Sequence, residues 1–283
     1  MQTYTTAASL RATVREHRQH GRTVAFVPTM GNLHEGHLCL MRRAQAMADR
    51  VVASIFVNPM QFGAHEDLAS YPRTPKEDTE LLVAEGVHHL FLPSVEEMYP
   101  GGLAAQARVS VPSLSDMLCG AERPGHFDGV ATVVSKLFNM VDPDIAVFGN
   151  KDFQQLAIIR KLTRDLNFPI RIEGVDTARA DDGLALSSRN GYLSQDERRR
   201  APALYASLCV TRDAIANGQR DYPCLEQAGQ EALRQAGFKP GYYRVCDAET
   251  LLAPAPKCEE IVILASATMG NTRLIDNVTL ALP

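Results

Sequence analysis

Short, uninterrupted apolar runs alternate with stretches whose apolar residues recur every three or four positions. The runs at 24–27, 51–57, 87–92, 145–148 and 169–175 are predicted to be buried parallel strands. Between them lie predicted helices: 35–47, with Leu38, Leu40, Met41, Ala44 and Met47 in register, then 75–86, 130–141 and 153–166. A further helix at 9–20 turns Leu10 and Val14 inward. Punctuation sharpens the boundaries. Pro28 is predicted to end the first strand, because proline has no ladder donor to give. Thr74-Pro75-Lys76-Glu77 has the spacing of a capping box with proline at the first helical position, and Gly86 closes that helix. Residues 94–130 are less regular, with a short helix at 94–98 and a short strand at 108–111. Strand–helix–strand units joined by short loops imply right-handed crossovers and a parallel sheet. The expectation is an α/β fold with a doubly wound, Rossmann-like parallel sheet.

The pattern changes near Asp181-Asp182-Gly183. Ser194-Gln195-Asp196-Glu197 is a second capping-box spacing, opening one long helix to about Gly218; another helix covers 223–236. Strands are predicted at 242–246, 261–267 and 273–280. This gives two domains, residues 1–180 and a smaller C-terminal α/β domain, 181–283.

Composition narrows the class. The 283 residues are 45% hydrophobic and 22% charged, with a net charge of −4. That is an ordinary soluble composition, and the acidic balance disfavours a nucleic-acid partner. Arg198, Arg199 and Arg200 are consecutive, and a solvated helix face explains them. Six cysteines without CxxC spacing fit buried thiols in a reducing compartment rather than disulfides or zinc. No signal-like core and no membrane-length apolar run is present, so a cytoplasmic protein is expected.

The candidate chemistry lies where strands pass into helices. In open parallel sheets, ligands sit beyond the strand C-termini. His34 and His37, three apart at a helix start, can share a face, and a helix N-terminus favours phosphate. HEGH does not have the four-residue spacing of a zinc HExxH, and neither GxxxxGK[ST] nor GxGxxG occurs at these junctions. Lys151 at a second junction and Ser187-Ser188-Arg189 in a polar loop add donors suited to a triphosphate. Gln61 and Gln155 offer neutral amides for hydroxyl and carboxylate groups.

The blocks VPTMGNLHEGHL, SIFVNPMQFG, YPRTPKED, ERPGHF, FGNKDFQQLAIIRKL, DGLALSSRNGYLS and TRLIDN resemble, in matching order, those of the pantothenate synthetase (pantoate–β-alanine ligase) family. HEGH resembles the HIGH-type signature of that nucleotidyltransferase superfamily, and Ser187-Ser188-Arg189 resembles its mobile KMSKS-type loop. Asn150 departs from the family's usual Glu, and Phe153 from a frequent Tyr.

The resemblance implies a two-step reaction. Pantoate attacks the α-phosphate of ATP to give pantoyl adenylate and pyrophosphate; the amine of β-alanine then displaces AMP. It implies catalytic roles for His34, His37, Lys151, Ser187, Ser188 and Arg189. It implies a nucleotide pocket of Met30, Gly31, Asn32, Leu33, His34, Glu35, Gly36, His37, Gly149, Asn150, Lys151, Asp152, Ala178, Leu186 and the Ser-Ser-Arg loop. Gln61 and Gln155 would bind pantoate, Gln61 also β-alanine, and Glu77 and Asp78 Mg²⁺ accompanying ATP. A homodimer through the N-terminal domain is implied as well. Another nucleotidyltransferase of the superfamily is the alternative, distinguished by an absent amide product.

Overall fold

The computed structural model describes residues 1–64 and 66–282. In chain order the elements are β1 (Gln2–Tyr4), α1 (Ala7–Gln19), β2 (Val24–Thr29), α2 (Glu35–Met47), β3 (Arg50–Ile55), α3 (Pro75–Ala84), β4 (His89–Phe91), α4 (Val95–Met98), α5 (Cys119–Glu122), α6 (His126–Val141), β5 (Ile145–Gly149), α7 (Phe153–Asp165), β6 (Arg171–Val175), α8 (Gln195–Arg200), α9 (Ala203–Ala216), α10 (Tyr222–Gln235), β7 (Lys239–Asp247), β8 (Glu260–Met269) and β9 (Thr272–Ala281). Short 3₁₀ turns follow β3 (Pro59–Gln61), β5 (Asn150–Asp152) and the polar loop (Ser188–Tyr192).

The chain divides into two compact units. One is Met1–Asn150 with Gln155–Asp176; the other is Lys151–Gln154 with Thr177–Pro283. The sequence pattern places a single boundary at 180/181, whereas the contacts assign the short segment at Lys151 to the second unit.

In the first unit the strands pair in parallel in the order β1-β4-β3-β2-β5-β6. Ala25 and Val27 of β2, with Val51 and Ala53 of β3, pack against Leu40, Met41 and Ala44 of α2 and Leu82 of α3. Side chains alternate along a strand, so Val24 and Phe26 face the other way. Chain order reverses beside β2, with β3 and β4 on one side and β5 and β6 on the other. The turns leaving β2 and β5 therefore flank the crevice of a doubly wound sheet.

Several boundaries differ from expectation. β2 runs through Pro28 to Thr29, pairing Pro28 with Ser54. Val24 turns its hydrogen-bonding edge to the β5 side, accepting from Asp144 N at 2.9 Å. Pro28, four residues on, turns the same way, beyond the last β2–β5 pair at Phe26 and Ala146. Its missing N–H thus interrupts no rung. The Thr74 box does not form: Thr74 caps no N–H, and its hydroxyl donates to Asp78 Oδ1 at 3.2 Å. Residues 108–111 are not a strand, and the 194–218 helix is two, α8 and α9, parted at Pro202, which lacks an N–H to continue the first. The Ser194–Glu197 capping box is present.

The second unit is an antiparallel sheet, β7-β8-β9, covered by α9 and α10. Its core joins Leu204, Leu208, Ile215 and Leu233 to Tyr243, Ile261, Ile263, Leu274 and Val278. Among the described residues all six cysteines are free thiols, and no helix is long and apolar enough to cross a membrane.

Beneath β1 and β4, His17 Nε2 and His89 Nε2 share a hydrogen bond of 2.8 Å, and His17 Nδ1 has no partner. Burial, reinforced by His17, His88 and Arg50, lowers the His89 pKa from its ordinary 6.5 to about 4. A depressed histidine is neutral when folded, while the unfolded chain takes up protons below 6.5. The stabilisation is complete above pH 6.5 and is lost as pH falls toward 4, a loss of roughly 3 kcal/mol. Urea midpoints are expected to fall across pH 6.5–4.5, and less steeply in His89→Gln; parallel slopes in the two proteins would remove His89 as the cause.

Candidate active site

The β2–α2 turn is built around two imidazoles. His34 is the N-cap of α2, and its Nδ1 accepts from Gly36 N at 3.2 Å. His37 Nδ1 accepts from His34 N at 3.3 Å, and the two ring centroids lie 4.2 Å apart. A backbone N–H can only donate, so both Nδ1 atoms are acceptors. In the neutral rings the hydrogen must then sit on Nε2. Each ring of the pair therefore carries its N–H on the outer nitrogen.

The backbone around them is less open than the sequence suggests. Asn32 N and Leu33 N donate to the two oxygens of Asp78, at 2.9 and 2.7 Å, and Asp78 is only 1% exposed. Gly31 and Asn32 both have left-handed φ, +83° and +50°, which directs successive N–H groups to one anion. A Cβ on Gly31 would come within 2.9 Å of Asp78 Oδ2. The anion held by this nest is an internal carboxylate. Since His37 N also donates to His34 O at 2.8 Å, the main-chain donors of this turn are committed to internal partners. Glu35, exposed, pairs with Arg42, which holds its carboxyl below the ordinary value.

Gln61 stands in the 3₁₀ turn after β3. Its Oε1 accepts from Asn58 Nδ2 at 3.0 Å, and its Nε2 donates to Met30 Sδ at 3.2 Å. Asn58 is itself buried, donating to Gly129 O at 3.1 Å and accepting from Tyr99 Oη at 2.7 Å. Burial pushes the Tyr99 phenol above its ordinary pKa, so it stays a donor. Gly129 lets α6 touch the turn: a Cβ there would lie 2.4 Å from Met60 O. His126 Nδ1 is 2.8 Å from Gln61 O. Gln155 is half-buried in the first turn of α7. Gly149 ends β5, and Asn150 Nδ2 donates to Asp176 Oδ1 at 3.1 Å. A side chain at Gly174 would strike Asn150 Oδ1 at 2.4 Å.

In the second unit, Lys151 is largely buried, with Nζ 4.0 Å from Asp152 Oδ2. Its carbonyl accepts from Asn277 Nδ2 at 2.9 Å. Leu186 N donates to Ala178 O at 2.9 Å, closing a hairpin over Gly183, and Ser187 caps the following 3₁₀ turn, accepting from Arg189 N at 3.3 Å. Glu77 is exposed in the first turn of α3, and no group of three His, Cys, Asp or Glu among the described residues could hold a metal.

The pantoate-beta-alanine ligase family model matches residues 2–279, nearly the whole chain. The chain belongs to that family. It is 60% identical over 282 residues to a pantothenate synthetase of Pseudomonas entomophila (strain L48), covering 100% of this chain and 98% of that one. It is also 60% identical over 270 residues to the enzyme of Stutzerimonas stutzeri (strain A1501), covering 95% and 94%. Among solved structures, a pantothenate synthetase from Thermus thermophilus superposes with a TM-score of 0.92 at 46% identity, over 98% of this chain and 99% of that one. A pantoate-beta-alanine ligase from Francisella tularensis, crystallised with beta-gamma ATP and beta-alanine, gives 0.82 at 30%, over 98% and 97%. As a ligase of this family the protein has a mixed α/β fold whose first sheet is parallel throughout.

Sequence reasoning misses Asn58, Tyr99 and Gly129, and it gives Asp78 to a metal. Asn58 lies in plain view within NPMQFG, but there only Gln61 is singled out for its amide. Tyr99 and Gly129 are 41 and 71 positions from Asn58. No local pattern links them.

Proposed function

We propose that the protein condenses pantoate with β-alanine at the expense of ATP, releasing AMP and pyrophosphate by way of pantoyl adenylate. The observation that carries this reading is the near-full-length relationship to named pantothenate synthetases. A carboxylate is a poor acylating agent because oxide would have to leave. Joined to AMP as a mixed anhydride it acquires a good leaving group. The first step brings together two anions, so donors aimed at the phosphates carry most of the catalysis.

In this reading the Nε2–H groups of His34 and His37 donate to the phosphates, and His37, made imidazolium by a proton on Nδ1 that displaces its bond from His34 N, gives its Nε2 proton to the departing pyrophosphate and is left a neutral ring. Lys151 opposes the charge developing on the phosphates, and Ser187, Ser188 and Arg189 hold the β- and γ-phosphates. Met30–Gly36, Gly149–Asp152, Ala178 and Leu186 shape the nucleotide pocket. Gln61 and Gln155 bind pantoate hydroxyl and carboxylate, and Gln61 also meets β-alanine. Residues 1–180 carry nucleotide and pantoate, and 181–283 act as a lid. Mg²⁺ enters as part of the substrate MgATP. It keeps phosphate oxygens and water as its main ligands, which suits a chain whose Asp78 is committed to Asn32 and Leu33. The working form is a cytoplasmic homodimer.

Pyrophosphate exchange into ATP tests the reading. Exchange should require pantoate and proceed without β-alanine, and AMP should accumulate once β-alanine is added. Exchange indifferent to pantoate would favour another nucleotidyltransferase; no exchange under any condition would mark a fold that has lost its chemistry. Gln155→Ala should raise the KM for pantoate about tenfold and leave kcat within about twofold, the signature of lost uniform binding.

A further inference from the structure

We propose that two adjacent residues of β9, Asp276 and Asn277, are positioning residues for adenylate formation, setting Lys151 and the Ser187–Arg189 loop from a single strand. The inference rests on the reading of those groups as phosphate donors.

Asp276 stands opposite Ala265 and shares a strand face with Leu274 and Val278, all three in the apolar core. It is 3% exposed. A carboxylate on that face forfeits hydration that a leucine would not need, and buried ion pairs rarely repay the loss in stability alone. Its partner is Arg179, held as a fork: Nη1 to Oδ2 at 2.6 Å and Nη2 to Oδ1 at 2.9 Å. Nη1 also donates to Gly183 O at 3.1 Å, Nη2 to Asn277 O at 3.3 Å, and the guanidinium lies 3.6 Å over the Tyr205 ring. Arg179 thus ties one leg and the turn of the 178–186 hairpin to β9, and the other leg runs directly into Ser187.

Asn277 points from the opposite face of β9. Its Nδ2 donates to Lys151 O at 2.9 Å, 126 positions away, while its N–H donates to Asp276 Oδ1 at 2.8 Å. A lysine side chain has four rotatable bonds, so fixing its own peptide is the direct way to limit where Nζ can go. The two phosphate-directed segments share one anchor. Displacement of either by about 1 Å is enough to cost rate without unfolding anything.

Asn277→Ala is expected to lower kcat for pantoate-dependent exchange about tenfold, with the pantoate KM within about twofold. Asn277→Gln, which keeps an amide donor, should recover much of the loss. Arg179→Lys keeps the charge but not the fork, and should lower exchange similarly. The discriminating readout is the second half-reaction. Aminolysis of preformed pantoyl adenylate by β-alanine involves neither β- nor γ-phosphate, so all three variants should perform it at the wild-type rate. A proportional fall in both half-reactions, or wild-type exchange in Asn277→Ala and Arg179→Lys, would overturn the proposal. Lys151→Ala run in parallel separates the two levels. If it abolishes exchange while Asn277→Ala and Arg179→Lys do not change it, positioning alone fails; if Lys151→Ala itself exchanges normally, the underlying reading fails too.

Discussion

Lys151→Ala is expected to cut pantoate-dependent exchange by roughly 10²–10³-fold, the usual cost of losing one preorganised donor to a developing charge. His37→Ala should do the same. The two substitutions differ in what they leave behind. Lys151 is anchored through its main-chain carbonyl, which alanine retains, so Lys151→Ala should melt like wild type. His37 Nδ1 accepts from His34 N within the α2 cap, so its loss also frees a donor at the helix start and should cost about 1 kcal/mol of stability. His37→Asn or His37→Gln can restore an acceptor without restoring an acid. Either variant should recover stability and not turnover. A variant at Lys151 or His37 that kept more than about a third of the wild-type rate at saturating substrates would take that residue out of the mechanism.

Asp78→Ala carries the second large effect, and it is one of architecture. Its carboxylate accepts from Asn32 N, Leu33 N and the Thr74 hydroxyl. Removing it strands the buried Leu33 N–H, at about 1–3 kcal/mol, and the half-buried Asn32 N–H beside it. It also releases the left-handed Gly31–Asn32 turn that leads to His34. Stability should fall by about 3 kcal/mol or more, and exchange by at least about tenfold, with no rescue by added Mg²⁺. A metal ligand would behave in the opposite way: stability would hold and activity would return with magnesium. Thermal melts and a magnesium titration of the variant's exchange rate decide between them.

That residue also marks the limit of reading by position. YPRTPKED gives Asp78 a place in a helix N-terminal turn, where an acidic side chain complements the dipole or waits for a cation. Nothing within ten positions indicates that its partners are 45 and 46 residues away. The same holds for Thr74, whose hydroxyl turns to Asp78 and leaves the capping spacing unused. Ser194, with no such competitor, forms its box as spaced. The histidine pair was legible as a pair, since three residues at a helix start fix their proximity. Which nitrogen of each ring faces the backbone was not, because that depends on side-chain rotation against the cap.

The alternation of apolar runs and helical periodicity was by itself enough to specify a parallel sheet with helices on it, and strand-to-helix junctions as the places for chemistry. These follow from local periodicity and from the one handedness that connects parallel strands. The tertiary structure alone decided the strand order that opens a crevice beside β2, the paired N–H groups that Asp78 draws away from any ligand, and the buried Arg179–Asp276–Asn277 link. Each of these is a pairing of donors with acceptors far apart in the chain, selected by the cost of leaving a buried polar group unpaired. Sequence spacing carries no record of that cost.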